Sequence, residues 1–425
     1  MPRALSLPDV YNNFIVEPLE KESEFEDFYV RRPTPIEEIK ERIEISRQDE
    51  KYLFLGFKGC GKSTELNKLF NEIDKSRFLI VKYSVREELD IGDFDFRDFF
   101  VLMALKIYGI AEEENMRLNK DIKEDFEEFT MEITHISEKE VEKNRGLGLS
   151  FSRIIMGKLG VEVKSREYIR KELEMKISDL IRRLNILIGE VERKSGKKML
   201  IIVDDLDKLH RQQQSEDFFY KNYHLLLQPS CYIIYTFPIG LAFNPFFENV
   251  RHNFHEDFVL PQLPVKNKKG NVIQKNLDYY TRIAEKRMEL GLIHADALEH
   301  AILSTGKLSE FILVVRDASV KAYTAIKDGR RKGQEITKDD VEEVLEKLRN
   351  TYDRTLTKEE IEKLIEIHDK KEARDKTVND NIVRALLFSL TIVEYETGEE
   401  GRWCDVNPIL FPLMEKWKKD WIIQE

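Results

Sequence analysis

Residues 52–64 read YLFLGFKGCGKST: an apolar run, a glycine-rich loop, then a lysine and two hydroxyls that open a helical pattern. No other stretch restricts the fold as much. Gly56, Gly61, Lys62 and Ser63 satisfy the spacing GxxxxGK followed by Ser or Thr, and the required context, strand before and helix after, is present. Glycines let backbone N–H groups curl around phosphate oxygens where a Cβ would collide. The following helix aims its positive N-terminal end at the same anions. The loop Gly56, Phe57, Lys58, Gly59, Cys60, Gly61, Lys62, Ser63 and Thr64 is therefore read as the cradle of a nucleoside triphosphate. Lys62 is expected on the β and γ phosphates and the Ser63 hydroxyl on Mg2+. Cys60 is read as a small residue turned away from the phosphates in preference to a redox switch.

The other half of such a site needs carboxylates. Residues 199–207 read MLIIVDDLD, five apolar residues of a buried strand that ends in Asp204 and Asp205. A carboxylate there can hold Mg2+, and its neighbour can activate the attacking water. Asp204 is assigned to the metal and Asp205 to the water. Two acids that only cap the next turn are the competing reading, and the upstream loop disfavours it. Thr236 ends the strand CYIIYTFP. Sheets of this kind bind ligands beyond the carboxyl ends of their strands, which puts its hydroxyl at the γ-phosphate or the lytic water; the alternative is a threonine that simply ends a strand before Pro238. Arg251, in NVRHNF, is either an arginine finger reaching a neighbour's nucleotide or a solvated arginine.

Strands and helices alternate to about residue 265, which predicts a mainly parallel sheet covered on both faces. From about 278 the pattern is helical, and it closes on two short strand-like runs around a glycine turn in VEYETGEEGRWCDV. The expected division is a lead segment 1–33, a core 34–265 with an insertion at about 112–195, a helical lid 266–352 and a winged-helix-like unit 353–425. Thr34 reads as an N-cap, with Glu37 completing a capping box. Residues 146–163, GLGLSFSRIIMGKLGVEV, read as a hairpin, and a helix is expected near 215–227. From Ser165 a long helix carries Ile169, Leu173, Ile177, Leu180, Leu184, Leu187 and Val191 on one stripe, read as packed on the core rather than as an intermolecular coiled coil.

Composition narrows the partners. Lys and Arg number 69 against 80 Asp and Glu, a net charge of −11, so nucleic acid would need a local basic patch. From Thr351 to Glu425 the count is 12 against 17, and the tip ETGEEGR is acidic, which disfavours duplex DNA on the last unit. KNKKG at 266–270 and KDGRRKG at 327–333 are basic but short, and read as solvated loops. The three cysteines show no paired spacing, and no apolar run reaches the ~18 residues of a membrane span. A cytoplasmic protein without a membrane partner is expected. His252 and His255 lack a third ligand for zinc. Trp403, Trp417 and Trp421 read as the core of the small last unit.

GFKGCGKSTEL, LIIVDDLD and YIIYTFP, in this order, resemble P-loop ATPases of the AAA+ and STAND group. The likeness is greatest to origin-recognition-type AAA+ proteins and related prokaryotic ATPases, several of them linked to antiviral defence, and it covers about residues 28–425. The resemblance implies an α/β P-loop sheet of the ASCE/AAA+ type, then a helical lid and a winged helix, with ATP and Mg2+ as ligands and ATP hydrolysis as the reaction. It gives Lys62, Ser63, Asp204, Asp205 and Thr236 the Walker A, Walker B and sensor 1 roles, and it puts backbone around Val30 to Arg32 near the adenine. One departure stands out. The lid motif like SGGxxRE is here STGKLSEF, with Ser309 where the sensor 2 arginine belongs. Either Lys307 or Arg316 substitutes, or the lid does not read the γ-phosphate. Three functions follow: an ATP-driven switch that senses or regulates a protein partner, in antiviral defence by family likeness; a DNA-binding ATPase of the loader type; or an ATP-binding scaffold with negligible turnover. Arg251 would matter only in a homo-oligomer.

Overall fold

The computed structural model describes residues 2–161, 163–209, 211–373, 381–398 and 400–422. Strand β1, Lys51–Gly56, is buried at every position. So is β4, Tyr232–Pro238, and β3, Lys198–Asp204, is buried from its second residue onward. Near-continuous apolar strands belong in the middle of a parallel sheet covered on both faces. With β2, Phe78–Ser84, and β5, Glu256–Val259, they form a five-stranded parallel sheet in the order β2-β3-β4-β1-β5. Gly56 lies opposite Pro238, Phe54 opposite Thr236, and Val203 opposite Tyr235. This register delivers the loop after β1, the acids after β3 and Thr236 of β4 to one edge.

Among its described residues the insertion is built of helices joined by short turns, with no strand. The stripe on the helix Val163–Ser195 is buried at Ile169, Leu173, Leu180, Leu184, Leu187 and Val191, with Ile177 half-buried, and it belongs to the core cluster of the sheet. It packs on the helix Phe96–Glu113, as expected, and no second chain is needed to cover it. The hairpin expected at 146–163 is instead a helix, Phe151–Val161. Its glycine signals belong to the turn before it, where Gly148 takes φ +84°, and Phe151, Ile154, Ile155 and Leu159 form a helical stripe. Its first N–H groups are capped from afar: Phe151 N and Ser152 N donate to the Glu112 carboxylate at 2.9 and 3.1 Å.

Two smaller expectations also change. The helix after Thr34 runs Ile36–Ile45 with Pro35 at its cap; Thr34 Oγ1 still accepts from Ile36 N at 3.4 Å, but Glu37 pairs with Arg31 instead of closing a capping box. The helix near 215–227 is broken, because a π turn at Asp217–Lys221 separates two short helices and buries Phe218, Phe219 and Tyr220.

A second core cluster holds the lid. Helices Gln274–Arg287, Ala295–Leu303, Leu308–Lys327 and Lys338–Asp353 surround it, and Leu7, Val10 and Phe14 from the chain's beginning complete it. The winged-helix-like end comprises helices Lys358–Lys370, Ile382–Phe388 and Phe411–Ile422 and the antiparallel pair β6, Ile392–Thr397, and β7, Gly401–Val406. Trp403 and Trp417 are buried there, and Trp417 Nε1 donates to Asp353 at the end of the lid at 3.1 Å. The side chain of Trp421 lies outside the described residues. The expected α/β P-loop sheet, lid and winged-helix-like unit are therefore observed. Among the described residues no helix is long and apolar enough to cross a membrane.

The winged-helix-like unit rests on the sheet edge through Phe388, against Gly240 just beyond β4. A Cβ at Gly240 would lie 2.9 and 3.0 Å from two ring carbons of Phe388. Gly240→Ala should therefore loosen this contact at a cost of about 1–3 kcal/mol, read as a lowered Tm and faster proteolysis between lid and winged helix. A Tm equal to the wild type would show that the contact is soft.

Candidate nucleotide site

The loop after β1 is shaped by two glycines in left-handed conformations, Gly59 at φ +80° and Gly61 at φ +105°. Gly61 caps the helix Lys62–Glu72. Lys62 is buried, and its ammonium is fully engaged: Nζ donates to Gly56 O at 2.7 Å and Phe57 O at 2.9 Å, and pairs with Asp207 Oδ2 at 2.9 Å. Burial works against its charge, but Asp207 more than offsets this and holds its pKa above the ordinary value. Cys60 is buried within the loop, as read from the sequence.

Asp204, Asp205 and Asp207 are all buried, and one ligand atom from each falls within 4.8 Å of the others. Among the described residues this is the group of His, Cys, Asp and Glu side chains that could hold a metal. Beyond Lys62, neither Asp207 oxygen has a hydrogen-bond partner, so the site has acceptor capacity to spare. Asp204 is raised to about 6, chiefly by burial and then by the Asp205 and Asp207 charges, while a hydrogen bond from Ser63 opposes the rise. That bond places Ser63 beside Asp204, as a shared Mg2+ shell requires. Asp205 takes φ +68°, accepts from Ser84 Oγ at 2.6 Å and pairs with Lys208. The donor set suits a hard divalent cation, with Ser63 and Asp204 as its first candidates.

Thr236 is wholly buried, and its hydroxyl is directed at the neighbouring strand. Oγ1 accepts from Leu206 N at 3.0 Å and donates to Val203 O at 3.3 Å. It fixes the turn that carries the acids. Arg251 is half-exposed and pairs with Asp257 at 2.7 Å and Glu248 at 3.5 Å, away from the loop's lining residues. Of the sensor 2 substitutes, Lys307 is buried against Glu310 at 2.9 Å, and Arg316 is paired with Asp317 and stacked over Tyr11. Ser309 itself touches the loop: its N–H donates to Gly59 O at 3.1 Å, and a Cβ on Gly59 would come within 2.8 Å of Ser309 Cβ.

A cavity beside the loop is lined by Gly61 to Glu65, by Val30 and Arg32, and by Tyr279, Ile283 and Ile312 of the lid. It offers an apolar wall next to the phosphate cradle. Arg32 is buried and clamps the loop, with Nη1 donating to Cys60 O at 2.6 Å and Nη2 to Pro261 O. Asp207, Ser84, Arg32 and Tyr279 were not singled out in the sequence for these contacts. Asp207 alone carried a signal, as the last acid of DDLD.

No protein-family profile matches the chain, and no curated protein does. Solved structures of similar chain path include the Orc1 protein of Aeropyrum pernix in complex with DNA, at 12% identity, TM-score 0.40 and 97% coverage of each chain. The Aeropyrum pernix ORC2 protein, as ADPNP-ADP complexes, is similar at 10% identity and TM-score 0.44, covering 97% of this chain and 98% of that one. A RuvB variant of Thermotoga maritima reaches 12% identity and TM-score 0.32, over 89% and 91% of the two chains. At these values the likeness is one of chain path alone.

The Asp204 shift has a sign that can be tested. Its folded pKa of about 6 lies above the ~3.9 of an unfolded aspartate, so the native state binds the extra proton between those values. Its contribution to stability is present below about pH 4 and lost as pH rises through about 6. Asp204→Asn should therefore flatten the fall of Tm with rising pH expected of the wild type without nucleotide. Mg2+-dependent nucleotide affinity should weaken in the opposite direction, as pH falls through about 6.

Proposed function

We propose that this chain is a Mg2+-dependent ATP-binding and hydrolysing switch. The observation that carries the reading is the convergence of Lys62, Ser63, Asp204, Asp205 and the Thr236-braced turn on one sheet edge, with the lid's Ser309 on Gly59 and the winged helix's Phe388 on Gly240. Lys62 is placed to meet the β and γ phosphates once it leaves Asp207. Ser63 and Asp204 would hold the Mg2+, which when bound neutralises phosphate charge. Asp205, steadied by Ser84 and Lys208, is the carboxylate placed to orient water and accept its proton. The nucleotide site is shared by three structural units, so a change at the phosphates changes contacts to lid and winged helix together. A partner protein that reads this change is the natural output. The finer reading, a partner in prokaryotic antiviral defence and membership of the STAND group, is supported by motif resemblance.

A DNA-binding ATPase is the second reading, and one observation favours it. The basic turn at 266–270 lies against the wing: Lys268 N donates to Glu400 Oε2 at 3.0 Å, and Lys266, Lys268 and Lys269 share a cleft with Lys371. A scaffold with negligible turnover is the third.

ATP turnover by the purified chain, alone and with duplex DNA, beside Lys62→Ala, separates them. The switch predicts measurable turnover that Lys62→Ala lowers by at least about 100-fold. Stimulation by DNA would promote the second reading. No turnover, with a thermal shift at 100-fold over Kd worth about 2.7 kcal/mol that Lys62→Ala abolishes, would leave a binding scaffold. Neither turnover nor shift would overturn the nucleotide site.

A further inference from the structure

Hydrolysis of a phosphoanhydride calls for positive charge at the terminal phosphate beyond that of the loop lysine. The cations near this site are already engaged. Lys62 is held by Asp207 and two carbonyls, Lys208 by Asp205, Lys307 by Glu310 and Arg316 by Asp317. Lys58 differs. It lies inside the phosphate loop, two residues after Gly56, and is half-buried. Among the described residues its side chain makes no ion pair or hydrogen bond.

Its surroundings face the reacting end of the site. Lys58 lines a narrow cleft with Gly56, Asp207, Pro238 and Gly240, walled on the far side by Leu387, Phe388 and Leu390 of the winged-helix-like unit. Pro238 ends β4 two residues after Thr236 and Gly240 lies just beyond it, so the cleft sits at the edge where the acids lie. Burial lowers the Lys58 pKa, the nearby Lys62, Lys208 and Lys307 lower it further, and Asp207 opposes them. A desolvated ammonium crowded by cations and offset by one carboxylate gains most from an arriving dianion.

We propose that Lys58 is the residue that contacts the terminal phosphate of ATP, supplying from the loop itself the charge that the lid lacks at Ser309. Asp207, paired with Lys62 and sharing the cleft with Lys58, would yield both to the phosphates when nucleotide binds. The proposal rests on the ATP reading above and adds the residue by which ATP is told from ADP.

The test is equilibrium binding of ADP and of the β,γ-imido analogue of ATP, each with Mg2+, to wild type, Lys58→Met and Lys58→Arg, with turnover measured in parallel. Lys58→Met should weaken the analogue by about tenfold or more while ADP affinity stays within about twofold, and turnover should fall with it. Lys58→Arg should keep most of the discrimination, and it serves as the test if the methionine variant fails to fold. Equal weakening of both nucleotides would make Lys58 a structural part of the loop and overturn the proposal, as would unchanged affinities. Wild type that binds neither nucleotide would instead overturn the ATP reading itself.

Discussion

The buried ion pair between Lys62 and Asp207 is the contact on which the rest of the site depends. Both side chains are almost wholly out of water, at 4% and 2% exposure. A buried charge stripped of its partner costs about 3–5 kcal/mol, so neither group can let go until something of like charge replaces the other. On the ATP reading, that replacement is a phosphate for Lys62 and Mg2+ for Asp207. The loop thus holds its shape through an internal ion pair, and on the ATP reading nucleotide entry would be an exchange of counter-charges rather than a filling of space. Because Asp207 sits three residues after Asp204, such an exchange would be felt at once by the buried carboxylates Asp204 and Asp205. Thr236 transmits it to β4, since its hydroxyl bridges Val203 O and Leu206 N.

The same edge is where the domains meet, and the meetings are steric. Gly59 has no room for a side chain because Ser309 is there, and Gly240 has none because Phe388 is there. Close-packed contacts of this kind have two states, engaged or parted, rather than a graded range. Behind them, Glu310 joins the lid to the winged helix: it pairs with Lys307, accepts from Tyr352 Oη and from Asn407 Nδ2, each at 2.9 Å, and receives Gly306 N at 3.1 Å. Lys307, which the sequence offered as a reader of the γ-phosphate, is the residue that locks this hub. The lid is thereby tied to the winged helix through Glu310 and to the phosphate loop one residue earlier, at Ser309. A shift of the loop by a fraction of an ångström has a short route to the end of the chain.

What the sequence revealed and what it hid divide along a physical line. The loop, the β3 acids, Thr236 and the long amphipathic helix were legible because each is written in local spacing: glycines for a cradle, an apolar run for a central strand, a three-four repeat for a buried face. The helix at Phe151–Val161 was not, because its start is stabilised by Glu112, far back in the chain, and the nearby glycines imitate a hairpin turn. The role of Thr236 was half legible. Its position at the strand end could be read, but whether the hydroxyl faced open space or the neighbouring strand depends on the order of strands in the sheet. Arg32 was illegible for the same reason. An arginine buried among backbone carbonyls has no sequence signature, since its partners Cys60 and Pro261 come from loops after two different strands.

The Lys58 and Arg251 ideas make different demands on assembly. An arginine finger from a second chain would have to reach the terminal phosphate through the cleft beside Lys58 and Asp207. Leu387, Phe388 and Leu390 wall that cleft. With the winged helix seated, these side chains narrow that route for an outside cation. Arg251, meanwhile, is bound to Asp257 and Glu248 and would have to leave both to serve a neighbour. On the proposed ATP reading this arrangement favours catalysis within one chain, slowed by Asp207, which pairs with Lys62 and faces Lys58. A partner that draws the winged helix off Gly240 would expose the cleft and change the site in a single step, which is how a nucleotide-dependent switch can couple an external contact to the rate of hydrolysis.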